Sequence, residues 1–177
     1  MATLDHVETA RLVGRRPVPE DVEALLTIYA DEAVAAWLWP GRLGGVRTRK
    51  QVTEIVEVFR AHWRAHGFGP WVFSDRDSGA ALGCAGLRHE VVDGAAEVEV
   101  LWAVASSRWG EGLATEMAEA SVRVAFDDVR LDDVVAFAVS DNLASQGVMR
   151  RAGFAFETEF ERDGFPCVLH RRGRTAG

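Results

Sequence analysis

The sequence predicts an α/β fold of the α+β kind, a mixed and mostly antiparallel sheet of about six to seven strands with a central βαβ unit, flanked by about four helices. Three observations carry this reading. Helical spacing of apolar residues gives way after Gly67 to short runs separated by turn residues. A strand then leads directly into a glycine-spaced helix start, and the chain closes with another strand, a helix and a hairpin. With 177 residues, 48% of them apolar and 27% charged, one domain spanning 1–177 is expected.

Residues 10–16 read as a first strand. Pro17-Val18-Pro19-Glu20-Asp21 opens a helix through Tyr29, with proline and acids where a helix start accepts them. The Gly/Pro cluster at 39–45 reads as a loop. Thr48-Arg49-Lys50-Gln51 has the capping-box pattern, and the helix that follows carries Val52, Ile55, Val56 and Phe59 on one stripe before stopping near Gly67. Runs at 71–73, 81–87 and 97–105 form a meander with a turn at Asp93-Gly94. Next come an amphipathic helix over 111–126, a buried strand over 134–139 and a helix over 142–151. Strands at 154–160 and 166–170 form a hairpin around Asp163-Gly164.

Composition removes several function classes. The formal charge is −7, and all of the excess lies after residue 88, where 16 acids face 9 bases. That opposes a phosphate-tracking surface, so no nucleic-acid partner is expected, and it fits either a solvated acidic surface, the plainer reading, or a partner that is cationic where it meets this half. There is no apolar run of about 18 residues and no basic, apolar-cored start, so no membrane partner is expected and a cytoplasmic location is. Cys84 and Cys167 are too few for a disulfide framework and read as reduced, packed thiols. His62 and His66 stand four apart on a predicted helix, a metal-compatible spacing. No glutamate follows His62 and no third ligand is evident in the sequence, so they read as surface histidines and no metal is expected.

The chemistry concentrates in residues 98–116, where a strand feeds the turn Arg108-Trp109-Gly110-Glu111-Gly112 and the helix start Leu113-Ala114-Thr115-Glu116. Backbone N–H groups and a positive helix end converge there, which makes an anion site. A Walker loop fails because Lys50 is the only lysine in the chain. A dinucleotide fingerprint fits poorly: Thr115 occupies the third glycine position, and Asp132 and Asp133 precede the next strand instead of ending it. A ligand-free structural turn stays open as the plain alternative.

Trp109-Gly110-Glu111-Gly112-Leu113-Ala114-Thr115-Glu116 resembles the acyl-CoA pyrophosphate loop of the GNAT N-acetyltransferases, closest to the RimJ/RimL-like branch (ribosomal-protein-alanine N-acetyltransferase-like). Residues 11–16 with Glu20-Asp21, Gly67 to Trp71, Ser78 to Leu87, and Asp141-Asn142-Leu143-Ala144-Ser145 with Ala152-Gly153-Phe154 are similar to the branch's other elements in the same order. Trp109 stands where the wider superfamily has Gln or Arg.

The resemblance implies an acetyl-CoA-dependent N-acetyltransferase that transfers directly to a primary amine, either a protein N-terminus or a small molecule. A non-catalytic acyl-CoA-binding module is the alternative. Cofactor contacts fall on Val104, Arg108, Trp109, Gly110, Gly112, Leu113, Ala114, Thr115, Asn142 and Ser145, with the strand at 97–105 splayed from that at 134–139. Glu99 matches the family's strand glutamate and is the candidate base. Ser145 is the candidate proton donor near the thiol, because the only tyrosine, Tyr29, lies on the first helix. Alternation places Glu97 and Glu99 on one strand face. Trp37, Trp39, Trp63 and Trp71 are candidates for the acceptor pocket or for the core. Both monomer and homodimer stay open.

Overall fold

The computed structural model describes residues 4 to 174. Among these residues, one sheet holds eight strands in the order β1-β2-β3-β4-β5-β6-β8-β7. These are β1 His6–Glu8, β2 Leu12–Arg15, β3 Pro70–Asp75, β4 Ala81–Val92, β5 Ala95–Val104, β6 Asp133–Val139, β7 Ala155–Arg162 and β8 Phe165–Gly173. Five α-helices flank it: α1 Asp21–Tyr29, α2 Glu32–Leu38, α3 Arg49–His66, α4 Leu113–Asp127 and α5 Leu143–Arg151. Neighbouring strands pair antiparallel except β5 and β6, which are parallel.

The expected class holds, with one strand and one helix more than the sequence reading. Strand β1 is three residues long with only Val7 buried, too short to show alternation. Helix α2 is seven residues long, and Asp31 caps it by accepting the Ala33 amide; fewer than two full turns leave no readable period. Strands β4 and β5 also run closer together than expected, because Asp93 (φ 48°) and Gly94 (φ 79°) form a two-residue turn with both central φ angles positive. The Thr48–Gln51 capping box forms, and Gly67 ends α3 in the left-handed region at φ 73°.

Apolar residues fill both faces of the sheet. Trp71, Phe73, Leu87, Leu113, Met117 and Met149 pack on the side of α4 and α5, while Leu25, Val52, Val56, Val72 and Cys84 pack on the side of α1 and α3. Among the described residues, no helix is long and apolar enough to cross a membrane.

The site is positioned by one interruption in the sheet. Strands β5 and β6 share a single registered pair, Glu99 with Val135. Beyond it the parallel ladder stops and the strands diverge, leaving backbone groups of the β5 C-terminal half without a neighbouring strand.

Candidate active site

The direction of those freed groups follows from the β4–β5 register. The Ala105 amide donates to Leu82 O at 2.8 Å, and Gly83 opposes Val104. In an antiparallel pair, bonded and non-bonded positions alternate. The N–H and C=O of Trp102 and Val104 therefore face away from β4, into the divergence. The Val104 carbonyl is taken by the Trp109 indole N–H at 2.8 Å, which leaves the Trp102 and Val104 amides and the Trp102 carbonyl open to a ligand.

Two clefts, each of about 650 Å³, meet at this divergence and share Trp37, Leu38, Trp102, Ala103, Asn142 and Ser145. The first continues to the turn before α4. Gly110 (φ 81°) and Gly112 (φ 80°) both occupy the left-handed region there, and Gly112 is the N-cap of α4. The Arg108 and Trp109 amides bond back to Ala105 and Ser106, and the next intrahelical donor is Glu116, bonded to Gly112 O at 3.1 Å. Among the described residues, the six amides from Gly110 to Thr115 find no protein acceptor, so a row of donors lies at a positive helix end. Arg108, Arg150 and Arg151 ring the same cleft.

The second cleft reaches Glu99, which is 5% exposed. Arg88 Nε donates to Glu99 Oε2 at 2.7 Å, and Arg88 also pairs with Glu90 at 3.1 Å, which in turn pairs with Arg162 at 3.2 Å. No protein donor among the described residues reaches the other Glu99 oxygen. Burial raises the Glu99 carboxyl above its usual range, and the Arg88 guanidinium opposes that shift only in part. Such a carboxylate can hold or take a proton nearer neutrality than an exposed one does.

Residues 11–155 match the Acetyltransferase (GNAT) domain model. The chain belongs to the GNAT acetyltransferase family. It is 23% identical over 151 residues to the uncharacterized N-acetyltransferase YoaA of Bacillus subtilis, covering 85% of this chain and 83% of that one. The acetyltransferase of Agrobacterium tumefaciens superimposes with a TM-score of 0.81 at 22% identity, over 96% of this chain and 94% of that one. RimL, a ribosomal L7/L12 alpha-N-protein acetyltransferase in complex with coenzyme A, superimposes with a TM-score of 0.75 at 19% identity, over 95% and 97%. The latter two likenesses show the fold.

On this GNAT frame the sequence-selected residues fall together, with changes in what several of them touch. Asn142 is buried and accepts the Ser145 amide at 3.0 Å, so it caps α5 from inside the divergence. Ser145 is half-buried where the clefts meet, and its hydroxyl has no partner among the described residues. Arg108 is not a free cation: its Nε donates to Glu111 at 2.7 Å and its terminal nitrogens approach Asp75 at 3.4 Å. Glu97 is drawn away from Glu99 by Arg171, which also binds Asp133 and Glu157. Trp37 and Trp39 line the second cleft, whereas Trp63 and Trp71 are core residues that meet edge to face with centroids 5.6 Å apart. Cys84 is buried beside the Tyr29 hydroxyl at 2.9 Å, and burial pushes its thiol up to about 11, which excludes a reactive thiolate.

Sequence reasoning missed three contributors. Helix α2 adds Val34 and Leu38 to the cleft walls beside Trp37, which the sequence offers, and its cap Asp31 accepts from the Ser106 hydroxyl just before the amide-rich turn. Arg151 bridges α5 to Thr115 Oγ1 at 3.1 Å; the basic pair Arg150-Arg151 at a helix end carries only an ordinary charge preference in the sequence. Glu116 accepts the Thr9 hydroxyl at 2.5 Å, the Arg11 amide at 2.9 Å and Arg11 Nε at 2.7 Å. Arg11 also binds Glu111 O at 2.9 Å, so this clamp braces the turn itself.

Burial alone raises the Glu116 carboxyl, but the donors of Thr9 and Arg11 outweigh it and hold the group below its usual range. A depressed folded value contributes stability above the unfolded value, and that contribution is lost as pH falls through the folded one. Glu116→Ala is expected to cost about 1–3 kcal/mol at neutral pH, a Tm fall of roughly 2–4 °C for each kcal/mol at this size. The deficit relative to wild type should shrink in acid, and thermal melts across a pH series check it.

Proposed function

We propose that this protein is an acetyl-CoA-dependent N-acetyltransferase that moves the acetyl group directly to a primary amine. The observation that carries the reading is the meeting of the two clefts at the β5–β6 divergence, with unpaired amides in one and a buried carboxylate in the other. Free N–H groups from Gly110 to Thr115, with Arg150 and Arg151 beside them, suit the diphosphate. The open backbone groups of Trp102 and Val104 suit the amide-bearing arm, which would add to β5 like a short strand.

In this scheme the acceptor enters as an ammonium by the Glu99 cleft and gives a proton to the Glu99 carboxylate, directly or through water. The neutral amine attacks the thioester carbonyl carbon, an amide of β5 donates to the developing oxyanion, and the C–S bond breaks as the C–N bond is kept. As the amide forms, the acceptor nitrogen sheds a second proton, and the departing thiolate receives it through the Ser145 hydroxyl, which gives one proton and regains another, or through water. No acyl-enzyme is invoked, because Cys84 is a raised, buried thiol.

Kinship of sequence with the RimJ/RimL-like branch supports a protein N-terminal amine as acceptor, and a small amine is the second class to test. An acceptor screen that follows release of the CoA thiol, run with peptides bearing free N-termini and with small amines, tests the scheme. Turnover with at least one amine is expected. Tight acetyl-CoA binding with no turnover on any acceptor would turn the reading to a binding module.

A further inference from the structure

We propose that His62, His66 and His89 form a binding site for a divalent transition-metal ion of the zinc, nickel or copper class. His62 and His66 sit one turn apart on α3, and His89 comes from β4. One ring nitrogen of each lies within 4.8 Å of the others. The His66 ring centroid is 4.5 Å from each of the other two, and those of His62 and His89 are 5.5 Å apart. Tetrahedral metal–nitrogen bonds of about 2.0–2.1 Å separate ligand nitrogens by roughly 3.3 Å. From the 4.8 Å limit the triangle closes by ring movements of up to about 1.5 Å, and His66 and His89 are both exposed.

The fold builds this cluster at an open sheet edge. Strand β4 outruns β3, whose pairing ends at Pro70 with Gly86, and beyond that point His62 and His66 of α3 meet His89. His62 Nδ1 lies 2.8 Å from Phe68 O, and its Nε2 accepts the His89 amide at 3.0 Å. The carbonyl acceptor places the proton on Nδ1 and the lone pair on Nε2. That is the arrangement by which ligating histidines are held in one tautomer. An ion at Nε2 displaces one amide hydrogen bond, and at this edge water can satisfy the released N–H.

Electrostatics permits the ion. Arg88, the neighbour of His89, lies on the opposite strand face and is paired with Glu99 and Glu90. An all-imidazole donor set selects borderline transition metals over calcium or magnesium. Water or an outside ligand fills the remaining positions. The site shares no residue with the acetyl-transfer clefts, so it stands whether or not the proposed activity does.

The test is calorimetric titration of untagged protein with zinc chloride, alongside electron paramagnetic resonance of the copper complex. The expected result is one equivalent bound with a Kd on the order of 10 μM or tighter, and hyperfine coupling to imidazole nitrogens. His66→Gln and His89→Gln, both at exposed positions, should each weaken binding at least about tenfold with unchanged circular dichroism. His6→Gln should leave it intact. Failure to saturate below about 1 mM zinc, retention of affinity in His89→Gln, or loss only when Cys84 or Cys167 is replaced by serine would each overturn the site.

Discussion

Replacing Glu99 by glutamine is expected to lower kcat for amine acetylation by about 10²–10⁴-fold while acetyl-CoA affinity stays within about twofold of wild type. Glutamine preserves shape, and its carbonyl oxygen can still accept from Arg88 Nε, which lies 2.7 Å from the native carboxylate. What it removes is a proton acceptor in the cleft opposite the free amides. The loss should depend on the acceptor. An α-amine with a pKa of about 7.7–8.0 is partly neutral at pH 7, whereas a lysine-like amine at about 10.4 is almost wholly protonated. The variant should therefore hurt lysine-like acceptors more, and unchanged turnover on both would remove Glu99 from the chemistry.

The pH behaviour gives an independent reading of the same group. Because burial raises the Glu99 carboxyl, wild-type kcat/KM should climb with pH through a value above the ordinary carboxylate range, and Glu99→Gln should lack that limb. Arg88→Gln removes the charge that opposes the rise and should move the limb to higher pH. A raised folded value contributes stability below the unfolded value and loses it as pH climbs through the folded one. Ionising Glu99 thus weakens the fold toward neutrality, and the glutamine variant should not show that decline.

The residues that the sequence exposes are those whose signals are local. The Thr48 box, the Asp93-Gly94 and Asp163-Gly164 turns, the glycine spacing at 110 and 112 and the Asn142 cap each act within a few positions of themselves, so spacing alone reveals them. Pairings set by strand register do not behave this way. Arg88 reaches Glu99 across β4 and β5, Arg171 gathers Glu97 from β5 and Asp133 from β6, and Glu116 holds Arg11 from the far end of the chain. His89 joins His62 because β4 outruns β3, a difference in strand length that no spacing encodes. The divergence at Glu99 and Val135 entered the sequence reading only through resemblance, since the residues after Val135 remain as strand-like as those before it.

Replacing Gly112 by valine is expected to weaken acetyl-CoA binding at least about 100-fold, some 2.7 kcal/mol, and to do so in a folded protein. Gly112 has φ 80°, where a β-branched residue costs on the order of 1–3 kcal/mol, so a Tm fall accompanies the loss and must be separated from it. A Cβ at this position meets nothing nearer than the Arg11 guanidinium at 3.7 Å, so the protein itself has room for the side chain. Gly112 lies within the run of unpaired amides, so a side chain here would stand beside the place proposed for the diphosphate. Gly79→Val supplies the control: Gly79 has a similar φ of 72° and open space around it, in the turn between β3 and β4 and away from the clefts. It should lower Tm by a comparable amount and leave acetyl-CoA affinity unchanged. If calorimetry instead shows both variants binding like wild type, the turn between Arg108 and Thr115 does not contact the diphosphate. If both lose affinity in parallel with Tm, the effect is strain, and the amide row has no special part in it. Only loss confined to Gly112→Val assigns the ligand to these N–H groups.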